Sequence, residues 1–196
     1  MGDLAILVEQ ISACTLCEMH LPHGARPVIQ CNKSARILIA GQAPGRKVHE
    51  SGVPFDDASG DRLREWMGIS KEVFYDANKV AILPMGFCYP GSHKGKGKSG
   101  DLPPRPECAA KWRAELLASL NQIELILVIG QYAQAYHLNN KQTVTACVKD
   151  WALYWPQQLP LPHPSPRNNS WLARNPWFEE DLVPRLKQRV ATILAI

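Results

Sequence analysis

Four short apolar runs constrain the fold of this chain more than any other feature of the sequence. They are rich in β-branched residues, each ends at glycine or proline, and they span residues 35–41, 79–84, 124–130 and 158–162. Such runs are typical of buried parallel strands, which need apolar side chains on both faces. The fourth run is the least typical because it contains prolines, which strands tolerate poorly.

Helical patterns fill the stretches between these runs. Three of them cover residues 59–68, 105–120 and 132–138. Ser59 is the predicted N-cap of the first helix, and Pro106 fits the opening turn of the second. Residues 176–196 predict a closing helix that kinks or restarts at Pro184. Strands that alternate with helices in this way predict an α/β sandwich.

The composition sets the scale of the core and excludes few partners. With 196 residues, 45% of them hydrophobic, the chain can bury one sizeable core, which predicts a single domain over residues 1–196. Its 22 Lys and Arg against 18 Asp and Glu permit a polyanionic partner without demanding one. No secretory pattern opens the chain and no apolar run approaches about 18 residues, so we expect a cytoplasmic protein without a membrane partner. The six cysteines are then expected to stay reduced, as metal ligands or core residues.

The loops that follow the four strands are the expected place for a binding site. In an open sheet of parallel strands, ligands bind at the carboxyl edge. The loops at that edge span residues 41–45, 84–91, 130–134 and 163–169.

His163 is the most constrained polar residue of these loops. The prolines around it fix φ and leave the imidazole little conformational freedom to lose. A pre-set imidazole suits the stabilisation of a developing anion, although a histidine that only satisfies a turn would also fit. Ser165, Arg167 and Asn168 add donors suited to phosphate oxygens.

The loop after the first strand carries a second group of candidates. It is rich in glycine but matches neither the dinucleotide nor the P-loop spacing, so a plain tight turn is the alternative. Gln42 can hold a carbonyl group or a water, and Phe55 offers a stacking face for a base. Asp61 fits the first turn of a helix, which leaves Asp56 and Asp57 as the better catalytic carboxylates.

Two motifs together resemble the paired motifs of the uracil-DNA glycosylase superfamily. They are GQAPG at residues 41–45 and HPSPRN at residues 163–168. HPSPRN and the stretch GVPF, at residues 52–55, are most similar to the single-strand-selective monofunctional branch. From about Cys14 to the last helix, the frame of the chain is similar to the iron-sulfur family of bacteria and archaea, which has GEAPG at the first motif. The resemblance implies a three-layer α/β/α sandwich around a four-stranded parallel sheet.

The same resemblance implies a role for four of the cysteines. The CxxC pair and two later cysteines fall where the iron-sulfur family has its cluster ligands: Cys14, Cys17, Cys88 and Cys108. Four thiolates suit a [4Fe-4S] cluster, or a tetrahedral zinc ion as the alternative. Their spacing matches no standard zinc finger. Cys31 and Cys147 are interpreted as structural cysteines.

The activity that the resemblance implies is hydrolysis of the N-glycosidic bond between a damaged base and deoxyribose, a step of DNA repair. The base first leaves the stack and enters a pocket. The resemblance assigns that pocket to Gly41, Ala43, Phe55, Met85 and Gly86. His163 would then hydrogen-bond the anion that develops on uracil O2. The attacking water would be positioned by Gln42, Asp56 or Asp57.

The implied partner is DNA that contains a damaged or deaminated base, bound by a monomer. Six residues in two loops are expected to bind it: Ser165, Arg167 and Asn168, and Lys94, Lys96 and Lys98. The lysines would neutralise phosphates, unless they only form a solvated loop. The four later tryptophans are predicted to anchor helices to the core rather than to stack on bases: Trp151, Trp155, Trp171 and Trp177.

Two residues depart from the family pattern. Ala43 stands where many members have an activating Asp or Asn, and Pro84 where relatives have the Asn that reads the Watson-Crick edge of uracil. The pocket would then read the base through backbone groups of Met85 and Gly86, accept another deaminated base, or have lost catalysis. Two alternatives therefore stay open: a DNA-binding module of weak or no activity, and an enzyme that acts on a nucleoside or nucleotide.

Overall fold

The computed structural model describes residues 3–93 and 100–196, and at its centre is a sheet of four parallel strands. The strands are β1 Ile37–Ala40, β2 Val80–Ile82, β3 Leu125–Ile129 and β4 Gln158–Leu161. Their order is β2-β1-β3-β4, and each adjacent pair runs parallel. All four predicted strands are confirmed. Pro160 lies opposite Val128 in β4, at the edge of the sheet, where a residue without an N–H is tolerated.

Helices precede, connect and follow the strands. In chain order they are α1 Leu4–Ser12, α2 Arg46–Ser51, α3 Ala58–Met67, α4 Lys71–Phe74, α5 Pro106–Ser119, α6 Gly130–His137, α7 Val144–Lys149, α8 Asn169–Arg174 and α9 Val183–Leu194. Short 3-10 turns span Glu18–His20, Trp151–Leu153 and Pro166–Asn168, and a π-helical turn spans Phe178–Leu182. Within residues 3–93 and 100–196, no helix combines the length and the apolar character needed to cross a bilayer.

Side chains of the strands alternate between two apolar layers. Ile37 and Ile39 of β1 pack in one layer with residues of α3 and α9. Leu38, which lies between them, packs in the other layer with residues of α1 and α5. Because successive side chains of a strand point to opposite faces, helices lie on both sides of the sheet. The three-layer α/β/α sandwich is thus confirmed.

The start of α3 differs from the prediction. Ser59 is not the N-cap; that position belongs to Asp57, whose Oδ1 accepts from the N–H groups of Ser59 at 2.9 Å and Gly60 at 3.0 Å. An ionised carboxylate caps free N–H groups and also favours the positive end of the helix dipole. The helix therefore begins one residue before Ser59, which lies inside its first turn.

The other helix predictions are confirmed, but the short helices α2, α4, α7 and α8 were not predicted. Pro106 is the first residue of α5, and Pro184 is the second residue of α9, which restarts after the π-helical turn. Helix α1 was also not predicted, although its buried Leu4, Leu7 and Ile11 recur at helical spacing. The four tryptophans predicted as anchors pack against the apolar layer formed with α3 and α9: Trp151, Trp155, Trp171 and Trp177.

Candidate active site and cysteine cavity

A pocket opens at the carboxyl edge of the sheet, where the loops after β1, β3 and β4 meet. Its polar lining consists of six side chains: Gln42, Gln131, Thr145, His163, Asn168 and Trp171. Gln42, His163 and Asn168 are among the residues predicted from the sequence. The pocket lies where an open parallel sheet binds its ligands.

His163 enters this pocket with one ring nitrogen already occupied. The backbone N–H of Ser165 donates to Nδ1 of His163 at 3.2 Å. Burial lowers the pKa of His163, against the opposing influence of Asp57 and Asp101 and with a small further decrease from Arg167. The imidazole is therefore held neutral, and because Nδ1 accepts, the proton resides on Nε2. Nε2–H is left as a donor.

The loop that carries His163 is stabilised by its own polar side chains. Asn168 Nδ2 donates to the carbonyl oxygen of His163 at 2.8 Å, and the hydroxyl of Ser165 accepts from the backbone N–H of Arg167 at 3.2 Å. Arg62 of α3 donates to the carbonyl oxygen of Ser165 at 3.2 Å. Ser165 and Asn168 thus serve the shape of the loop. Arg167 is exposed, and within the described residues its guanidinium makes no hydrogen bond or ion pair.

Gln42 is oriented by the proline-rich segment that leads to α5. Its Nε2 donates to the carbonyl oxygen of Leu102 at 2.9 Å. This contact fixes the amide so that Oε1 is the atom left to accept a hydrogen bond. Such an acceptor at the pocket can orient a water molecule.

Phe55 lies against the loop after β1. Its ring reaches to 3.9 Å from the position that a Cβ on Gly41 would occupy, and it packs edge-on to Phe74 at 6.1 Å. Phe55 itself has φ of 55°, and its carbonyl oxygen lies so close to Gly60 that no side chain fits there. Phe55 is therefore held in place by the first turn of α3. Ala43 is half-buried in the same loop as Gly41.

The backbone N–H groups of Met85 and Gly86 are already engaged within the fold. Their N–H groups donate to the carbonyl oxygens of Gly41 at 2.8 Å and Gln42 at 3.0 Å. Both donors are engaged because the chain after β2 continues alongside the loop after β1. The side chain of Met85 packs in a buried cluster, and Gly86 lines a different cavity.

The two candidate carboxylates hold different positions. Asp56 is exposed and forms an ion pair with Lys71 at 3.8 Å. Asp57 caps α3 through Oδ1, and it is the stronger of the two carboxylates that raise the pKa of His163. Neither Asp56 nor Asp57 lines the pocket. Asp57 acts on the site through its charge.

Several residues near the site were missed by the sequence analysis. Asp101 raises the pKa of His163, and its Oδ1 accepts from the hydroxyl of Ser92 at 2.7 Å. Thr145 and Trp171 form one wall of the pocket, where Trp171 Nε1 donates to Thr145 Oγ1 at 2.7 Å. Gln131 lies in a loop that the sequence had assigned to this edge, so it could have been found. No local signal marks the others, because they arrive from α7, α8 and a distant loop.

Three of the residues predicted to bind DNA are lysines between β2 and α5. Lys94, Lys96 and Lys98 fall outside the described residues. Their role in binding phosphates stays a prediction.

A second cavity is lined by the four predicted ligand cysteines. Cys14 and Cys17 follow α1, Cys88 follows β2, and Cys108 lies in the first turn of α5. The remaining lining is largely apolar and includes Phe87 and Trp112. Cys31 and Cys147 do not line the cavity, and neither do His20 and His23, which are exposed.

Two thiols of this cavity, those of Cys88 and Cys108, have raised pKa values. Burial raises the pKa of Cys88 to about 11 and that of Cys108 to about 12. The backbone N–H of Phe87 donates to Cys108 Sγ at 3.4 Å. In the part of the chain that the structure describes, no three His, Cys, Asp or Glu side chains are close enough to hold one metal ion.

Comparisons with known proteins place these features in a family. The model of the uracil DNA glycosylase superfamily matches residues 28–187. The chain is 27% identical over 180 residues to a type-4 uracil-DNA glycosylase of Thermotoga maritima, which covers 88% of this chain and 84% of the relative. It is also 27% identical over 144 residues to a type-4 uracil-DNA glycosylase of Archaeoglobus fulgidus, covering 71% of this chain and 65% of the relative.

Proposed function

Because the chain belongs to the uracil DNA glycosylase superfamily, we propose that it hydrolyses the N-glycosidic bond of uracil, or of another deaminated base, in DNA. The observation that carries this proposal is His163. Its imidazole is neutral, its Nδ1 is tied to the backbone of Ser165, and it lines the pocket at the carboxyl edge of the sheet. The names of the two relatives, both uracil-DNA glycosylases, support the same substrate.

Cleavage of the bond builds negative charge on uracil O2 and positive charge on the sugar. An N–H donor that is already aimed at the developing anion stabilises the transition state by about 3–4 kcal/mol. Nε2–H of His163 is such a donor, because the Ser165 contact fixes the tautomer before the substrate binds. The base must first leave the duplex, which costs a few kcal/mol and favours bases that are poorly paired. Phe55 supplies the face on which it stacks.

The water is assigned to Gln42. Its Oε1 is free to accept a hydrogen bond while Nε2 is held by Leu102. The negative charge of Asp57 stabilises the positive charge that develops on the sugar. Asp57 remains the N-cap of α3 throughout. Asp56, paired with Lys71 on the surface, is the weaker candidate.

We assign a [4Fe-4S] cluster to the cysteine cavity, with Cys14, Cys17, Cys88 and Cys108 as its ligands. A tetrahedral zinc ion is the alternative, and the spacing of the four cysteines, which matches no standard zinc finger, favours the cluster. When bound, the cluster would join three segments that are distant in sequence.

DNA is the proposed partner. Arg167 is exposed beside His163 and is suited to a phosphate, and Lys94, Lys96 and Lys98 are proposed to add to this contact. The monomeric state, the single-domain organisation and the cytoplasmic location stay predictions.

A second candidate is a DNA-binding module that does not cut the bond. It is favoured by Pro84, which offers no side-chain hydrogen bond, and by the engaged N–H groups of Met85 and Gly86, which are not free to donate to the edge of a base. An enzyme of free nucleosides or nucleotides would show no salt-dependent affinity for DNA, which separates it from both.

The experiment is an assay of abasic-site formation on labelled oligonucleotides that carry uracil, hypoxanthine or xanthine, single- and double-stranded. We expect excision of at least one of these bases and none from an undamaged strand. DNA binding without excision of any base would replace the glycosylase proposal with the binding module.

A further inference from the structure

The cysteine cavity contains buried donors that have no acceptor. Trp112 is only 7% exposed and lines the cavity, and its indole Nε1 makes no hydrogen bond within the described residues. Nε of Arg105, another lining residue, is buried and lacks an acceptor among the same residues. An unpaired buried donor costs about 1–3 kcal/mol. Two such donors at one cavity indicate that the occupant supplies acceptors.

We propose that Trp112 Nε1 and Arg105 Nε donate hydrogen bonds to the sulfur atoms of the group that the four cysteines hold. The inference rests on the proposed cluster. A [4Fe-4S] cluster offers both cysteine thiolates and inorganic sulfides as anionic acceptors, and hydrogen bonds to these sulfurs tune its electronic state.

The surroundings of the two donors support this arrangement. The guanidinium of Arg105 is anchored by Glu107, with NH2 at 2.5 Å from Oε1. Arg105 and Cys17 line the same cavity. The backbone N–H of Phe87 already reaches Cys108 Sγ. Donors thus approach the cavity from the loop after β2 and from both sides of the first turn of α5.

The test compares Trp112→Phe with Trp66→Phe. Phenylalanine keeps an aromatic ring but has no N–H. Trp66 is 3% exposed in the apolar layer on the opposite face of the sheet, so it is a matched control for the loss of a buried indole. Iron and sulfide content is measured first, and wild-type protein without either would overturn the proposed cluster itself.

With the cluster present, we expect the Fe–S stretching bands of Trp112→Phe to move to higher frequency in resonance Raman spectra. Hydrogen bonds to sulfur weaken the Fe–S bonds and stabilise the reduced state, so their loss should also speed oxidative bleaching by ferricyanide about threefold or more. Trp66→Phe should match the wild type in both measurements.

Arg105→Lys gives an independent comparison, because lysine keeps the charge and removes Nε–H. If Trp112→Phe fails to assemble a cluster, Arg105→Lys alone tests whether a buried donor hydrogen-bonds the sulfur atoms. Wild-type band positions and bleaching rates in the cluster-loaded variants would overturn the inference while leaving the cluster assignment intact.

Discussion

At the scale of single residues, Asp57 combines two roles that substitutions can separate. Asp57→Asn keeps an N-cap acceptor and removes the charge, whereas Asp57→Ala removes both. We expect Ala to lower the free energy of unfolding by about 0.5–2 kcal/mol and Asn to change it little. Both should slow base excision, because both remove the negative charge that stabilises the positive charge developing on the sugar. Denaturant titration and single-turnover rates measure the two effects, and full activity of the Asn variant would reduce Asp57 to a cap.

Arg113 of α5 is buried and contacts His137 of α6. It is 1% exposed and donates through NH1 to the carbonyl oxygens of Leu83 and Pro84, each at 3.0 Å. Its Nε and NH2 contact Nε2 of His137 at 3.2 Å and 2.6 Å. Arginine has no acceptor, so His137 must accept and must be neutral. Burial, with a further decrease from the charge of Arg113, lowers the pKa of His137 to about 3.

His137 should therefore destabilise the fold in acid. Between its ordinary pKa of 6.5 and the folded value of about 3, the unfolded chain binds a proton that the folded protein excludes. The contribution of neutral His137 to the free energy of unfolding is complete above pH 6.5 and is lost as the pH falls toward 3. At about pH 5 the loss should reach about 2 kcal/mol.

His137→Gln keeps an acceptor and removes the titration. In urea titrations at about pH 7.5 and about pH 5, the wild type should lose about 2 kcal/mol more stability than the Gln variant. Equal losses would show that His137 does not titrate in this way. Sequence reasoning could not find this pair, because nothing in α5 marks which of its charged residues turns inward.

At the scale of elements, the loop that presents His163 owes its shape to prolines. Pro164 follows the histidine directly and is buried. Pro164→Ala should lower the free energy of unfolding by about 0.4–1 kcal/mol, because the unfolded chain gains freedom. Excision should slow several-fold, since the imidazole must then be ordered during the reaction.

The matched control is Pro176→Ala, an exposed proline outside the pocket. It should cost similar stability and leave the excision rate unchanged. Equal rates in both variants and the wild type, followed under single turnover, would contradict the role given to the rigid loop.

The elements that could be predicted are those whose signal is local. Four apolar runs predicted the four strands, because each is short, rich in β-branched residues and ends at glycine or proline. The start of α3 was misplaced by the choice between Asp57 and Ser59, since both are good caps and only the tertiary position of the helix decides. The engaged N–H groups of Met85 and Gly86 depend on how two loops run side by side, which no single loop encodes.

At the scale of the whole molecule, the cysteine cavity connects α1, the loop after β2 and α5. Cys88→Ser should abolish the absorbance at about 400 nm and the bound iron that are expected of a [4Fe-4S] protein. It should also lower the thermal midpoint of unfolding, because a group that binds only the folded state stabilises that state. Cys31→Ser is the matched control, since Cys31 is half-buried but does not line the cavity. Iron retained in Cys88→Ser would contradict the ligand assignment.

The central claim is that this protein excises a base from DNA with His163 as the donor to the leaving anion. The most direct test is the single-turnover cleavage of a uracil-containing oligonucleotide by His163→Ala, beside His23→Ala, an exposed histidine outside the pocket. We predict that His163→Ala slows cleavage about a hundredfold to a thousandfold with DNA affinity retained, while His23→Ala cleaves like the wild type. Cleavage by His163→Ala at the wild-type rate would contradict the account.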